Sequence, residues 1–255
     1  DLETAVVGGP FINYWHPWNA LNFELTTPSN TSQVRWFNPA GSLVWPISKN
    51  VIVYFPFDPL GPQQFDPALE KMFQQDAIHL ETTNDRFSAY ELTSTSALDE
   101  KLKLLEGTSK IAWSPDWAHL PAPTLPLNFG ERLSLLAVEV VTPELRGGET
   151  LRYLTYWQVS RADTAPMVSF SHVTSDGFDI WGQQDWLDVR MAGLQPGDRF
   201  VQVHTVMVQP GTPPGSYHIQ LGLYGPDTQV RLPILAPGAE DSPDRVWVGD
   251  IEVIE

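Results

Sequence analysis

The sequence predicts an α+β N-terminal domain followed by an all-β antiparallel sandwich of Ig-like or jelly-roll-like type. In the last third of the chain, apolar and polar residues alternate in short runs that Pro/Gly turns interrupt about every 8–12 residues, which is typical of a sandwich. Helix signals occur only in the first half. A Pro-rich stretch at 115–126 separates the first part of the chain, which has helix signals, from the second part, which has only strand signals. We therefore predict domains at 1–121 and 122–255, with residues 127–255 folding alone.

The first domain begins with strand-like runs at 20–26, 34–37 and 51–55. A helix start follows, in which Asp66 is the expected N-cap and Pro67 occupies the first helical position. The expected apolar side of this helix consists of Leu69, Met72 and Phe73.

Two further strands are expected at 77–81 and 87–92. Leucines at 98, 102 and 105 follow helical spacing, although 94–114 stays ambiguous. The aromatic first 18 residues fit either an edge strand or strap packed on the domain, or a belt at a membrane surface.

The second domain shows strands only. Alternation and turn residues predict seven of them, at 133–141, 151–159, 167–173, 200–208, 217–224, 230–235 and 246–254.

Composition excludes several classes of partner and chemistry. The net charge of −16 provides no basic surface for nucleic acid, and it disfavours docking by charge on an anionic membrane. The absence of Cys excludes disulfides and thiolate chemistry. The sequence has no apolar run long enough to span a membrane, and it opens at Asp1 without a basic signal region. This is expected either of a cytosolic protein or of a processed or excised fragment, and the start without Met favours the fragment.

Catalytic motifs for nucleophiles, phosphates and metals are missing, so we expect no catalytic residue, no metal and no cofactor. The histidines lack metal-ligand spacing, and His204 and His218 are expected to be strand residues that face solvent or a polar neighbour. His79 and Glu81 share a strand face. They could form a His–carboxylate pair that acts as a general base, or an ordinary cross-strand surface pair.

The acidic segment 176–188 is the candidate ligand site, and we interpret it as a loop. Its expected ligand-binding residues are Trp181, Trp186, Asp185 and Asp176, because flat aromatic rings stack on sugars and carboxylates orient hydroxyl groups. Three alternatives stay open: a calcium site, a glycosidase carboxylate pair, and aromatic cover for the sandwich.

The order of motifs in residues 125–255 resembles the soluble C-terminal region of bacterial lipid-carrier-dependent membrane glycosyltransferases, which are related to protein mannosyltransferases. The motifs are Leu-Asn-Phe-Gly at 127–130, Tyr-Trp-Gln at 156–158, Gln-Pro-Gly-Asp at 195–198, Pro-Pro-Gly-Ser-Tyr at 213–217, Leu-Gly-Leu-Tyr at 221–224 and Arg-Leu-Pro at 231–233. The family's catalytic acids lie between transmembrane helices, so none is carried over to this chain.

The resemblance implies a non-catalytic, extracytoplasmic accessory domain that positions a glycan or acceptor beside its parent membrane domain. The alternatives are a free-standing carbohydrate-binding or adhesion module and, second, a carboxylate-dependent glycoside hydrolase. By itself the chain is expected not to be an enzyme.

Overall fold

A computed structural model describes the backbone of residues 4–8, together with residues 34–48, 51–56, 65–80, 87–176, 178–236 and 242–255. The helices in these ranges are α1 (Pro67–Asp76) and α2 (Ser96–Leu105). Neither has the length and apolar run that a membrane crossing requires. The described strands are β1 (Thr4–Gly8), β2 (Val34–Phe37), β3 (Ser42–Trp45), β4 (Val51–Pro56), β5 (Ala77–Leu80), β6 (Phe87–Leu92), β7 (Leu127–Phe129), β8 (Leu133–Val140), β9 (Glu144–Arg146), β10 (Thr150–Val159), β11 (Val168–Thr174), β12 (Ile180–Asp185), β13 (Arg199–Met207), β14 (Gly215–Tyr224) and β15 (Val246–Ile254).

These strands form three five-stranded sheets. The mixed sheet has the order β2-β1-β4-β6-β5, and β1 runs parallel to both β2 and β4. The central sheet has the order β3-β13-β10-β8-β7 and is antiparallel. The outer sheet has the order β12-β11-β14-β15-β9, antiparallel except for the β15–β9 pair.

The central and outer sheets pack face to face as a β-sandwich, so the second half of the chain is the predicted sandwich. Tyr153 of β10 donates a hydrogen bond from its hydroxyl to Ser171 Oγ of β11 at 2.7 Å, across the interior. Strand residues that alternate with these point to the other side of each sheet. We call the side of the outer sheet that faces away from the central sheet the distal face.

The N-terminal elements pack on the opposite side of the central sheet. Lys101 of α2 contacts Glu139 of β8 at 2.7 Å, and Arg152 of β10 contacts Asp66 at the start of α1 at 2.6 Å. Leu69 and Leu98 from the two helices are buried in the same hydrophobic core as the sandwich residues. The described helices, the mixed sheet and the sandwich therefore share one continuous core.

Strand β3 belongs to the sandwich although it lies in the first half of the chain. It lies before the boundary expected between 121 and 122, yet it pairs with β13 and forms an edge of the central sheet. The sandwich thus uses a strand from the first half, and the expectation that residues 127–255 fold alone needs revision. A separate α+β domain at 1–121 stays a prediction.

The local signals were read correctly at α1. The Asp66 carboxylate accepts the Ala68 and Leu69 amides, Pro67 opens the helix, and Leu69 and Phe73 are buried. The helical spacing within 94–114 corresponds to α2. The run predicted at 20–26 lies outside the described residues.

Two predictions in the sandwich are wrong. Residues 230–235 do not form a strand, because Pro233 has no amide hydrogen and only isolated bridges form at Arg231 and Ile234. The segment 176–188 is not a loop, since its middle is the edge strand β12, which pairs with β11.

Candidate functional site

The four predicted ligand-binding residues lie along β12 and its flanks, but they do not form one cluster. Trp181 and Trp186 are five residues apart on an extended segment, which separates them by about 16 Å. A single aromatic platform containing both indoles is therefore not formed.

Asp176 and Trp181, at the start of this segment, are engaged locally. The Asp176 carboxylate accepts the amides of Phe178 at 2.9 Å and Asp179 at 3.0 Å, and these bonds lower its pKa. Trp181 is half-buried and packs edge-on against Tyr217, with ring centroids 6.2 Å apart. Asp176 thus orders its own turn, and Trp181 covers the end of the core.

Asp185 and Trp186, at the end of β12, are neighbours with solvent access. The Asp185 side chain is 41% exposed and accepts the Tyr224 hydroxyl at 3.1 Å. Trp186 is 38% exposed, and its indole Nε1 donates to Asp188 Oδ1 at 2.7 Å. We call this pair the edge site. Neighbouring residues of an extended segment point to opposite sides, so the Asp185 carboxylate lies on the distal face with Tyr224, whereas the Trp186 ring points toward Asp188 on the side of the central sheet.

Asp188 fixes the Trp186 ring from within the protein. It is buried, and its oxygens also accept from Asn38 Nδ2 at 2.7 Å and from Gln202 Nε2 at 2.9 Å. Burial raises the pKa of the Asp188 carboxyl, while these hydrogen bonds oppose the increase. Gly41 is required here, because a Cβ at that position would lie 1.9 Å from Asp188 Oδ2.

The distal face continues from Asp185 toward the middle of the outer sheet. His172 Nε2 of β11 lies 3.8 Å from Asp185 Oδ1, and the imidazole is also hydrogen-bonded to Gln220 of β14. Burial lowers the pKa of His172, and Asp185 opposes that shift. Burial, and then Asp185, raise the pKa of Tyr224.

A second ring–carboxylate group lies on the same face at β14 and β15. The His218 ring stacks on the Trp247 indole with centroids 3.6 Å apart and planes 11° apart. His218 Nδ1 is 2.8 Å from Asp250 Oδ1, and the Asp250 side chain is 54% exposed. We call His218, Trp247 and Asp250 the β15 group. The expectation that His218 has a polar neighbour is confirmed.

Gln220 and Trp247 each have a donor without a partner. They are cross-strand neighbours, and both Gln220 Nε2 and Trp247 Nε1 are buried without a hydrogen bond. An unsatisfied buried donor costs about 1–3 kcal/mol. Such groups in a native protein point to strain, to a catalytic role, or to an acceptor such as an ordered water or an ion.

Arg231 and Phe170 complete this face near the edge site. The Arg231 guanidinium lies 4.6 Å from the centre of the Phe170 ring and contacts Asp244 at 3.2 Å. The ring lies over Gly222, where a Cβ would be 2.2 Å from Phe170 Cζ. Gly222 thus permits the close approach of the Phe170 ring.

His204 differs from His218 because it faces the sandwich interior and not solvent. Its ring stacks on Tyr153 with centroids 4.3 Å apart, and Nε2 lies 2.9 Å from Thr155 Oγ1. Trp157 Nε1 donates to the same hydroxyl at 2.7 Å. Burial lowers the pKa of His204 to about 3, so it is neutral at ordinary pH.

The contacts of the acidic segment bear on two of its alternatives, the calcium site and the glycosidase carboxylate pair. In the ranges that the structure describes, no three His, Cys, Asp or Glu side chains gather as a metal site. Asp188 is enclosed by donors and Asp176 caps its turn, so neither faces Asp185 as a second carboxylate of a glycosidase pair would.

His79 is exposed and packs on Tyr90, while Glu81 lies outside the described residues.

Sequence reasoning missed His172, Tyr224 and the β15 group. These residues come together through strand register, and registers of strands far apart in sequence leave no local signal. The useful signal was the His-x-Gln alternation in β14, which places His218 and Gln220 on one face.

Comparisons with known proteins do not identify a family. No protein-family model and no curated protein matches the chain. Solved structures that match include the CARDB domain of a Pyrococcus furiosus protein in complex with di-metal ions, at 16% identity and a TM-score of 0.25, covering 48% of this chain and 94% of that one. A Listeria innocua β-glucosidase in complex with glucose matches at 14% identity and a TM-score of 0.26, covering 53% of this chain and 17% of the enzyme.

Proposed function

We propose that this chain is a non-catalytic accessory module of a membrane glycosyltransferase and that it holds a glycan or acceptor at the edge site. The observation that supports it is the exposed Trp186 indole at the end of β12, which a hydrogen bond to Asp188 anchors and which follows directly on the exposed Asp185 carboxylate. An apolar ring buries the apolar face of a sugar, and a carboxylate accepts its hydroxyl protons.

Anchoring matters because binding requires side chains to become ordered. Immobilising a side chain on binding costs about 0.5–1.5 kcal/mol. Trp186 is already fixed through Asp188, and Asp188 is itself fixed by Asn38 and Gln202. The edge site is therefore preorganised, which favours a recognition role.

The link to a glycosyltransferase comes from the motif order in 125–255. The resemblance implies a module outside the cytoplasm, beside its parent membrane domain, and we retain the α+β domain at 1–121 as part of this proposal. The alternative, a free-standing carbohydrate-binding or adhesion module, uses the same edge site. Reading the coding sequence upstream of Asp1 separates the two: several apolar helices of about 20 residues each support the accessory role, and an upstream region without them supports the alternative.

The edge site is tested by a glycan array on the wild-type chain and on Trp186→Ala. Phe178→Ala is the matched control, because Phe178 is an exposed aromatic residue that precedes the same strand. We expect Trp186→Ala to lose binding and Phe178→Ala to retain it, while melting temperatures show that both variants are folded. A wild-type chain that binds no glycan, or a Trp186→Ala variant that binds normally, would refute the proposal.

A further inference from the structure

We infer that the ligand of the edge site lies on the central-sheet side of β12, where a neutral sugar stacks on Trp186 and hydrogen-bonds to Thr205 and Gln184. This inference rests on the proposed function and adds to it two specificity-determining residues and the class of sugar. It is carried by the strand register of β12, by the hydrogen bonds between Gln184 and Thr205, and by the turn that lies beside them.

Gln184 is a polar neighbour of the Trp186 indole. The Trp186 amide continues the ladder of β12 by donating to the Ser169 carbonyl at 2.8 Å, and Gln184 pairs with Ser171, two residues further along β11. Residues two apart on an extended segment share a face and lie about 7 Å apart. The Gln184 amide therefore lies beside the indole, on the side that faces the central sheet and not on the distal face.

Gln184 and Thr205 hold each other in place. The Thr205 amide donates to Gln184 Oε1 at 3.0 Å, and Gln184 Nε2 donates to Thr205 Oγ1 at 3.3 Å. A hydroxyl that accepts one hydrogen bond keeps its own proton for another acceptor. Thr205 is exposed, so this proton is available to a hydroxyl oxygen of a sugar. The pair thus offers a hydrogen-bonding group that needs little further ordering on binding.

The turn between β2 and β3 joins these groups to the indole. The Gly41 carbonyl accepts, at 2.7 Å, the amide of the residue two before Thr205. At the other end of the turn, Asn38 Nδ2 donates to Asp188, which holds the indole. Ala40 is exposed between them, and its small side chain covers little of the turn. We call the group beside this turn, which consists of Trp186, Gln184 and Thr205, the turn surface.

The charged groups beside the turn surface already have partners, which favours a neutral sugar. Arg152 pairs with Thr205 across β10 and β13, and its guanidinium contacts Asp66 at 2.6 Å. Asp188 is buried among its donors. An acidic sugar would find the Arg152 cation occupied, and the chain's net charge of −16 repels it. An indole, an amide and a hydroxyl suit the apolar face and the hydroxyl groups of a neutral sugar.

The experiment compares neutral glycosides with their monodeoxy analogues. The probes are the methyl glycosides of mannose, glucose and N-acetylglucosamine, titrated into the full chain. For the glycoside that binds best, we expect one monodeoxy analogue to bind the wild type about three- to tenfold more weakly, because a hydrogen bond to Thr205 is lost. Thr205→Val keeps the side-chain shape without the hydroxyl, so it should bind that glycoside and that analogue equally. A purely structural role of Thr205 would weaken both ligands and preserve their ratio.

Thr124→Val is the matched control, because it removes the hydroxyl of an exposed threonine next to β7, at the opposite edge of the central sheet. It should keep both the affinity and the ratio. A ratio that is absent from the wild type, or that survives in Thr205→Val, overturns the inference, while binding that depends on Trp186 leaves the proposed function in place. If the wild type binds none of these glycosides, the inference is overturned, and the glycan array on Trp186→Ala alone decides the proposed function.

Discussion

Three buried carboxylates, Asp76, Asp188 and Asp198, join the N-terminal residues to the sandwich. Asp76 accepts Trp45 Nε1 from β3 at 3.1 Å and also the Ala97 amide at the start of α2. Asp198 accepts Arg35 Nε at 2.8 Å and the Ile47 amide at 3.0 Å. A part of the acidic composition thus serves structure, and sequence reasoning could not separate these acids from exposed ones because their partners are distant in the chain.

Breaking the Arg35–Asp198 pair should be strongly destabilising. Asp198→Ala leaves the buried Arg35 guanidinium without its carboxylate, and such a loss costs about 3–5 kcal/mol. The control Arg161→Ala removes an exposed pair with Glu131 and should cost at most about 1 kcal/mol. Urea unfolding of both variants measures the difference, and equal costs would contradict the buried position of Asp198.

His204 should make the protein acid-sensitive. In the unfolded chain its pKa is about 6.5, whereas burial lowers it to about 3 in the folded state. The unfolded state therefore takes up a proton first as pH falls, and stability is lost from pH 6.5 down to about 3, at up to about 1.4 kcal/mol per pH unit. His204→Phe keeps a ring against Tyr153 and removes this contribution.

The measurement is urea unfolding of wild type and His204→Phe between neutral and mildly acidic pH. His172 also has a lowered pKa and is present in both proteins, so the difference between the two slopes reports His204 alone. A shallower slope in the variant is expected. Parallel pH profiles would mean that His204 is not buried as a neutral group.

At the scale of elements, β3 shows why the chain does not divide cleanly at its Pro-rich stretch. It supplies an edge of the central sheet, and Ser42 Oγ donates to the Val201 carbonyl at 2.7 Å. Pattern reasoning recognised strands, turns and the capped helix, since these signals are local. It could not assign β3 to a sheet, because pairing with β13 is a contact between distant parts of the sequence.

A truncation tests the role of β3 directly. A chain of residues 122–255 lacks β3, the Arg35 and Ile47 partners of Asp198, and the helices that cover the central sheet. We expect it to be less stable than a chain of residues 34–255 and to bind a hydrophobic dye through exposed apolar surface. Equal unfolding midpoints for the two chains would restore the sandwich as an independent unit.

At the scale of the whole molecule, the N-terminal elements cover one side of the sandwich, and the groups with exposed carboxylates lie on the outer sheet and its edge. Of the four residues that the sequence indicated for ligand contact, Asp185 and Trp186 combine exposure with anchoring. It also proposed Trp181 and Asp176, whose contacts with Tyr217 and with their own turn depend on packing that residue type does not reveal.

The most direct test of the edge site is an NMR titration of the nitrogen-labelled chain with a glycan selected from the array. The indole signal of Trp186 is assigned by its loss in Trp186→Phe. The account predicts saturable shifts of that indole and of the amides around Asp185, while the buried Trp157 indole is unchanged. Shifts centred on another surface, with the Trp186 indole unmoved, would contradict it.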